Sequence, residues 1–279
     1  MIAKNAKRGV SDRMFFAKPY EYEPCGMYTV GHFALLLVTL IAVGVGLYAM
    51  RRADEARVRR TVRIVTVLLW VLELWKIAFV LLVTGSRNPN DFLPFYYCSL
   101  ILYAGALSSL GKGAWQKLGD SFVATGGLFG GACFLLMPNT SLPRYPTFHF
   151  ISFHSFLLHG LMVFLGLLLL LRGIYRIRLR EIAYPAQLVS VMCALAYTFN
   201  TVYNRLHPED PSANLMFMSL DFPGTPVALL YRITGPAFPI AMWLLQAFGP
   251  YLLLCGIAAL VCRFKNRQPL ALDTKERGL

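Results

Sequence analysis

The feature that most limits what this chain can become is a series of apolar runs about 20 residues long, separated by short basic or proline-bearing connections. A helix rising about 1.5 Å per residue needs roughly 20 residues to cross a hydrocarbon core of about 30 Å. Backbone inside lipid must satisfy its own hydrogen bonds, so such runs become helices. Seven spans are predicted: Tyr28–Met50, Val62–Thr84, Phe92–Leu110, Leu118–Met137, His149–Leu171, Ile182–Tyr203 and Gly235–Cys262. The fold class is therefore all-α, a polytopic membrane helical bundle of about seven transmembrane helices. Composition agrees: 57% of the 279 residues are hydrophobic and only 15% charged, too few to solvate the surface of a soluble domain.

Around the transmembrane domain of residues 28–262, residues 1–27 read as a tail lacking the apolar core of a secretory signal peptide, and 263–279 as a second tail. Residues 204–234 are too rich in proline for one spanning helix (Pro208, Pro211, Pro223, Pro226) yet too apolar for a solvated loop. They are expected to form an outer lid packed over the mouth of the bundle.

The formal charge of +13 invites a nucleic-acid partner, but its placement argues against one. Basic residues cluster between spans, as anchors beside anionic lipid do. The loop Arg51–Arg63, "GKGAWQK", "RGIYRIRLR" and the tail after Cys262 hold 17 of them. The opposite loops hold four. That asymmetry predicts a multi-pass cell-membrane protein with a cytoplasmic C-terminus, against the weaker pull of Lys4, Lys7, Arg8, Arg13 and Lys18. The cysteines show no CxxC and no metal-ligand spacing, so neither a metal nor another cofactor is expected.

Polar side chains within spans are costly and usually face the bundle interior. Glu73 and Lys76 are three apart on one helical face and can pair. Ser152, Ser155 and His159 form a stripe on the fifth span, with His154 about 100° round from Ser155. Cys98 lies early in the third span, and Asn200 and Asn204 close the sixth. Each has a bland reading: a structural ion pair, a packed thiol, helix-joining amides, a satisfied core histidine. His149, at the interface, is the least informative histidine.

The ordered motifs "LPFYYCSL", "FISFHSFLLHG", "NLMFM" and "GPAFP" resemble the YwaF family of bacterial integral membrane proteins, which is similar to eukaryotic transmembrane protein 164. The resemblance covers roughly Pro89 to Tyr251. It implies a seven-span fold and, by its eukaryotic relatives, acyl transfer on ether phospholipids through a cysteine. On that analogy Cys98 is the nucleophile and His159 its base, with His154 in support. The chain departs from the relatives in carrying Tyr96 where they have a histidine two residues before the cysteine, and the eukaryotic cysteine falls at Phe95.

Two function classes follow, with a non-catalytic scaffold as the third. A lipid-directed acyltransferase or hydrolase would use His159, Cys98 and His154 as catalytic residues. Glu73, Lys76, Asn200, Asn204 and Asn214 would bind substrate, with membrane lipid or an acyl chain as the partner. A proton-linked carrier or receptor would instead use Glu73, Lys76 and His159.

Overall fold

The computed structural model describes residues 13–264, which are predominantly helical with no strand among them. The first 12 residues, with Lys4, Lys7 and Arg8, and the tail from residue 265 lie outside the described residues. Ten α-helices follow in order: α1 (Val30–Ala49), α2 (Glu55–Phe79), α3 (Pro89–Phe92), α4 (Leu100–Leu110), α5 (Ala114–Phe122), α6 (Leu128–Leu136), α7 (Phe150–Leu171), α8 (Ala183–Leu206), α9 (Pro226–Thr234) and α10 (Phe238–Phe264). Single π-helical turns extend α2 over Val80–Thr84 and join α5 to α6 over Val123–Gly127. Six helical stretches are long and apolar enough to cross a membrane, and α4 is a shorter apolar helix. The chain is a polytopic helical bundle.

The α5–α6 stretch is the most enclosed of the six and touches α4, α7, α8 and α10. Beside it, α7 packs on α1, α2 and α6. Glycine permits a close approach: a Cβ at Gly131 would lie 2.8 Å from the carbonyl oxygen of His159, so α6 and α7 meet backbone to backbone there. By contrast, α1 leaves Leu37, Val38, Ile41 and Val45 exposed along its length, as a helix facing acyl chains does.

The third apolar run corrects the expectation of one helix over Phe92–Leu110. Asn88 does cap a helix, accepting from the Asn90 N–H at 3.0 Å, but that helix is the single turn α3. Pro94 is the reason. Its ring pushes the preceding residue out of the helical region, and Leu93 is extended (φ −74°, ψ 126°). Residues 93–99 are non-helical, and α4 begins only at Leu100. Eleven residues rise about 16 Å, half a bilayer.

Candidate functional site

A broken span leaves peptide groups that need partners, and this end of the bundle supplies them from side-chain amides. The segment 212–220, which includes "NLMFM", is also non-helical apart from a 3-10 turn at Leu215–Phe217. Ala213, Leu215 and Met216 are fully buried. Asn90 of α3 donates to the Ser212 carbonyl and accepts the Asn214 N–H. On α8, Asn200 grips Leu215 at both its N–H (2.9 Å) and its carbonyl (3.0 Å). One turn on, Asn204 grips Ala213 in the same way. Asn214 accepts from the N–H groups of Ser219 and Leu220, and Gln246 of α10 donates to the Met216 carbonyl at 2.9 Å. An amide suits this task because it both donates and accepts without a charge to desolvate.

The held segment is strained. Met216 and Phe217 both have positive φ, 55° and 50°, in a region that side-chain-bearing residues rarely adopt. The Phe217 ring lies against Tyr96 of the 93–99 segment, centroids 5.2 Å apart. Two irregular stretches, remote in sequence, thus meet inside one end of the bundle. Beside them a cleft of about 330 Å³ is lined by Tyr197, Thr201, Asn204, Arg205, Ser219 and Pro239. Tyr197 is 44% exposed, so the cleft opens on the flank of α8, and the Ser219 Oγ is buried without a partner.

Cys98 lies one residue before the end of the 93–99 segment. Its thiol donates to the Gly130 carbonyl, 3.9 Å from Sγ, and packs against Gly130. His159 is 8% exposed, its ring stacked on Phe134 at 3.6 Å. The Nδ1 of His159 lies 2.6 Å from the Ser155 carbonyl, an acceptor, so Nδ1 carries the proton and Nε2 the lone pair. Gly130 faces the Cys98 thiol, Gly131 abuts the His159 backbone carbonyl, and the His159 ring lies on Phe134, one turn along α6 from Gly130. The described residues contain no hydrogen bond between Cys98 and a histidine. Asn200, Asn204 and Asn214 sit together, with their amides engaged by backbone.

A second polar group lies between α2 and α7. Lys76 Nζ is 2.6 Å from the Glu73 carboxylate, which is 3% exposed. His154 is within electrostatic range of both Lys76 and His159, and its Nε2 is buried with no hydrogen-bond partner. Ser152, on the face shared with His159, donates to the Pro146 carbonyl and ties the start of α7 to the preceding loop.

Three elements of this end escape a reading by span. Asn90 and Gln246 hold the irregular segment, yet they sit in a turn motif and in the middle of an apolar run. Only the oddity of an amide within "WLLQAF" marks Gln246. His149, at the very start of α7, is fully buried by protein. Its Nδ1 caps α7 by accepting the Ile151 N–H, and its Nε2–H donates to the Ala17 carbonyl. Burial pushes its pKa below the ordinary histidine value, partly offset by the Ala17 bond. The opposite end holds another missed cluster: Arg59 Nη1 meets Asp120 at 2.5 Å, and Ser108 donates to the same carboxylate oxygen. Among the described residues no group of His, Cys, Asp and Glu is arranged to hold a metal ion.

Compared with known proteins, residues 27–265 match the TMEM164 family. The match takes in the first two spans, which the motif resemblance left to hydropathy. No curated protein and no solved structure matches the chain.

Proposed function

The chain belongs to the TMEM164 family, and on that premise we propose that it is a cell-membrane enzyme transferring or hydrolysing acyl chains of membrane lipid at the junction of segments 93–99 and 212–220. The observation that carries this reading is the meeting of two non-helical segments, one half-buried and one largely buried, beside a cleft that opens on the flank of α8. Irregular backbone at membrane depth is tolerated where it is enclosed by protein or lines a cavity, and such breaks mark binding sites. Arg205, Thr201 and Tyr197 suit a lipid headgroup: a cation for phosphate, a hydroxyl and an amphipathic ring. The seventeen-to-four basic asymmetry supports a reading with this end outside and the C-terminus in the cytoplasm.

In the reaction, His159 Nε2 takes the Cys98 proton and the thiolate attacks the ester carbonyl of a bound lipid. The ester C–O bond breaks, the acyl group is held as a thioester, and the imidazolium returns the proton to the leaving alcohol. An acceptor hydroxyl or water then attacks the thioester, and Cys98 leaves as thiol. Because Cys98 and His159 have separate backbone partners and no hydrogen bond joins them, this pairing requires the 93–99 segment to shift, which release of the amide-held segment would permit.

The test is protein in nanodiscs given phospholipid with a labelled acyl chain. A hydroxylamine-labile acyl adduct is expected on wild type and absent from Cys98→Ala, with turnover lost in both Cys98→Ala and His159→Ala. Undiminished turnover in Cys98→Ala would sink acyl transfer through this thiol. A carrier reading draws on one observation, the unpartnered Nε2 of His154 beside the Glu73–Lys76 pair. It requires proton uptake into liposomes that Glu73→Gln abolishes and Cys98→Ala leaves intact.

A further inference from the structure

At the end of α2 remote from Lys76 the chain builds a second cleft, of about 670 Å³, lined by Met50, Asp54, Ala56, Arg57, Arg60, Thr61 and Ile64. Nineteen residues separate Arg57 from Lys76, roughly 28 Å along one helix, so this cleft is not part of the junction described above. Its frame is fixed. Asp54 caps α2 by accepting the Arg57 N–H at 2.9 Å. Arg172, at the end of α7, donates from Nε to the Ala53 carbonyl and from Nη1 to the Arg51 carbonyl. Arg51 is held against the Tyr48 ring, 3.8 Å from its centroid.

The arginines of this end have sorted themselves. Arg59 turns inward to Asp120 and Glu55, and Arg63 donates to the Ser109 carbonyl. Arg57 and Arg60 stay exposed, form no ion pair among the described residues, and line the cleft from positions three apart on one helical face. Directly below them the wall turns apolar with Met50 and Ile64. The exposed side of α2 continues apolar through Ile64 (61% exposed), Val67 and Val71. Two guanidiniums above a hydrocarbon-facing stripe match, in order and sign, a phosphate above acyl chains. Asp54 is the only carboxylate in the lining. It leaves a net positive site that disfavours a headgroup with no net charge.

We infer that this cleft binds an anionic glycerophospholipid, its phosphate gripped by Arg57 and Arg60 and its chains lying along Met50 and Ile64. The experiment uses the full chain in detergent with phosphatidylglycerol or phosphatidylcholine of matched chains, read by native mass spectrometry and by the lipid-induced rise in thermal midpoint. Phosphatidylglycerol is expected to be retained and to stabilise. Arg57→Gln with Arg60→Gln should weaken that retention about tenfold or more, as loss of two charge-assisted phosphate contacts implies. Arg52→Gln with Arg176→Gln removes the same charge from exposed sites outside the cleft and should leave retention unchanged. Equal loss in both double variants means diffuse surface attraction and overturns the site. Equal retention of phosphatidylcholine overturns the anionic preference. An equal rise in midpoint with inorganic phosphate alone overturns the lipid as occupant. Should the cleft variant not fold, the wild-type comparison of the two lipids and phosphate still decides.

Discussion

The two ends of α2 solve different problems with different chemistry. At the Lys76 end, one span is interrupted beside a non-helical connection, and neutral amides on α3, α8, α10 and the segment itself complete the peptide groups of 212–220. At the Arg57 end the helices are intact, their peptide groups already paired, and the elements are joined by charge: Arg59 on α2 to Asp120 on α5, with Ser108 of α4 on the same oxygen. A buried irregular backbone needs partners that both donate and accept. Continuous helices need only a link between side chains, and there a charged pair serves. The close contact of α4 and α5 supports that link, since a Cβ at Gly119 would collide with the backbone of Ser108 and Ala104.

The largest effect should come from breaking the charged link. Asp120→Ala leaves Arg59 partly buried without its main partner and should cost roughly 3–5 kcal/mol, read as a fall in thermal midpoint in detergent. Arg59→Met combined with Asp120→Leu should recover most of it. A double variant no better than Asp120→Ala would show that the pair is not what joins α2 to α5.

Next in size is Asn200→Ala, which orphans the N–H and the carbonyl of fully buried Leu215. Each unpaired buried group costs about 1–3 kcal/mol. Unlike the Asp120 change, this loss should be local, with deuterium exchange rising across 212–220 well before the bundle melts. Uniform exchange across all helices would mean that the segment is no separate unit. Asn204→Ala, at a half-buried position one turn nearer the helix end, should have a smaller effect of the same kind, about 1 kcal/mol.

Smallest is the contribution of His149, a neutral group serving both ends of its ring. Protonating Nδ1 destroys the cap on Ile151. Because its folded pKa is depressed by burial, the unfolded state takes up the proton first. The stability it supplies is therefore complete above about pH 6.5 and is lost progressively as pH falls toward the folded value. The cap is worth about 0.5–2 kcal/mol. Protection of the amides near Ala17 and Ile151 should fall in the same window. His149→Asn, which keeps a capping acceptor and a donor, should flatten that pH dependence. An unchanged pH profile in His149→Asn would assign the effect to another group.

Much of the bundle was legible because membrane insertion is decided by local length and polarity. Run lengths alone place α1, α2, α7, α8 and α10, and the spacing of Glu73 and Lys76 places them on one face, where they pair at 2.6 Å. The third run misleads for a local reason that run length ignores. Pro94 lies deep enough to end one helix, and hydropathy does not register a missing N–H. His149 misleads for a different reason: its burial depends on Ala17, 132 residues away in sequence.

What the sequence by itself determined is a membrane-embedded helical bundle with one strongly basic set of loops, since apolar length and charge are sums over neighbours in the chain. The tertiary structure alone decided that Asn90, Asn200 and Gln246 converge on one strained segment, that Arg59 and Asp120 find each other, and that Cys98 and His159 both pack against α6, at Gly130 and Phe134. These are meetings of residues from 15 to more than a hundred positions apart, fixed by how helices pack at glycine contacts and where a non-helical segment needs its peptide groups completed. No periodicity along the chain encodes that requirement.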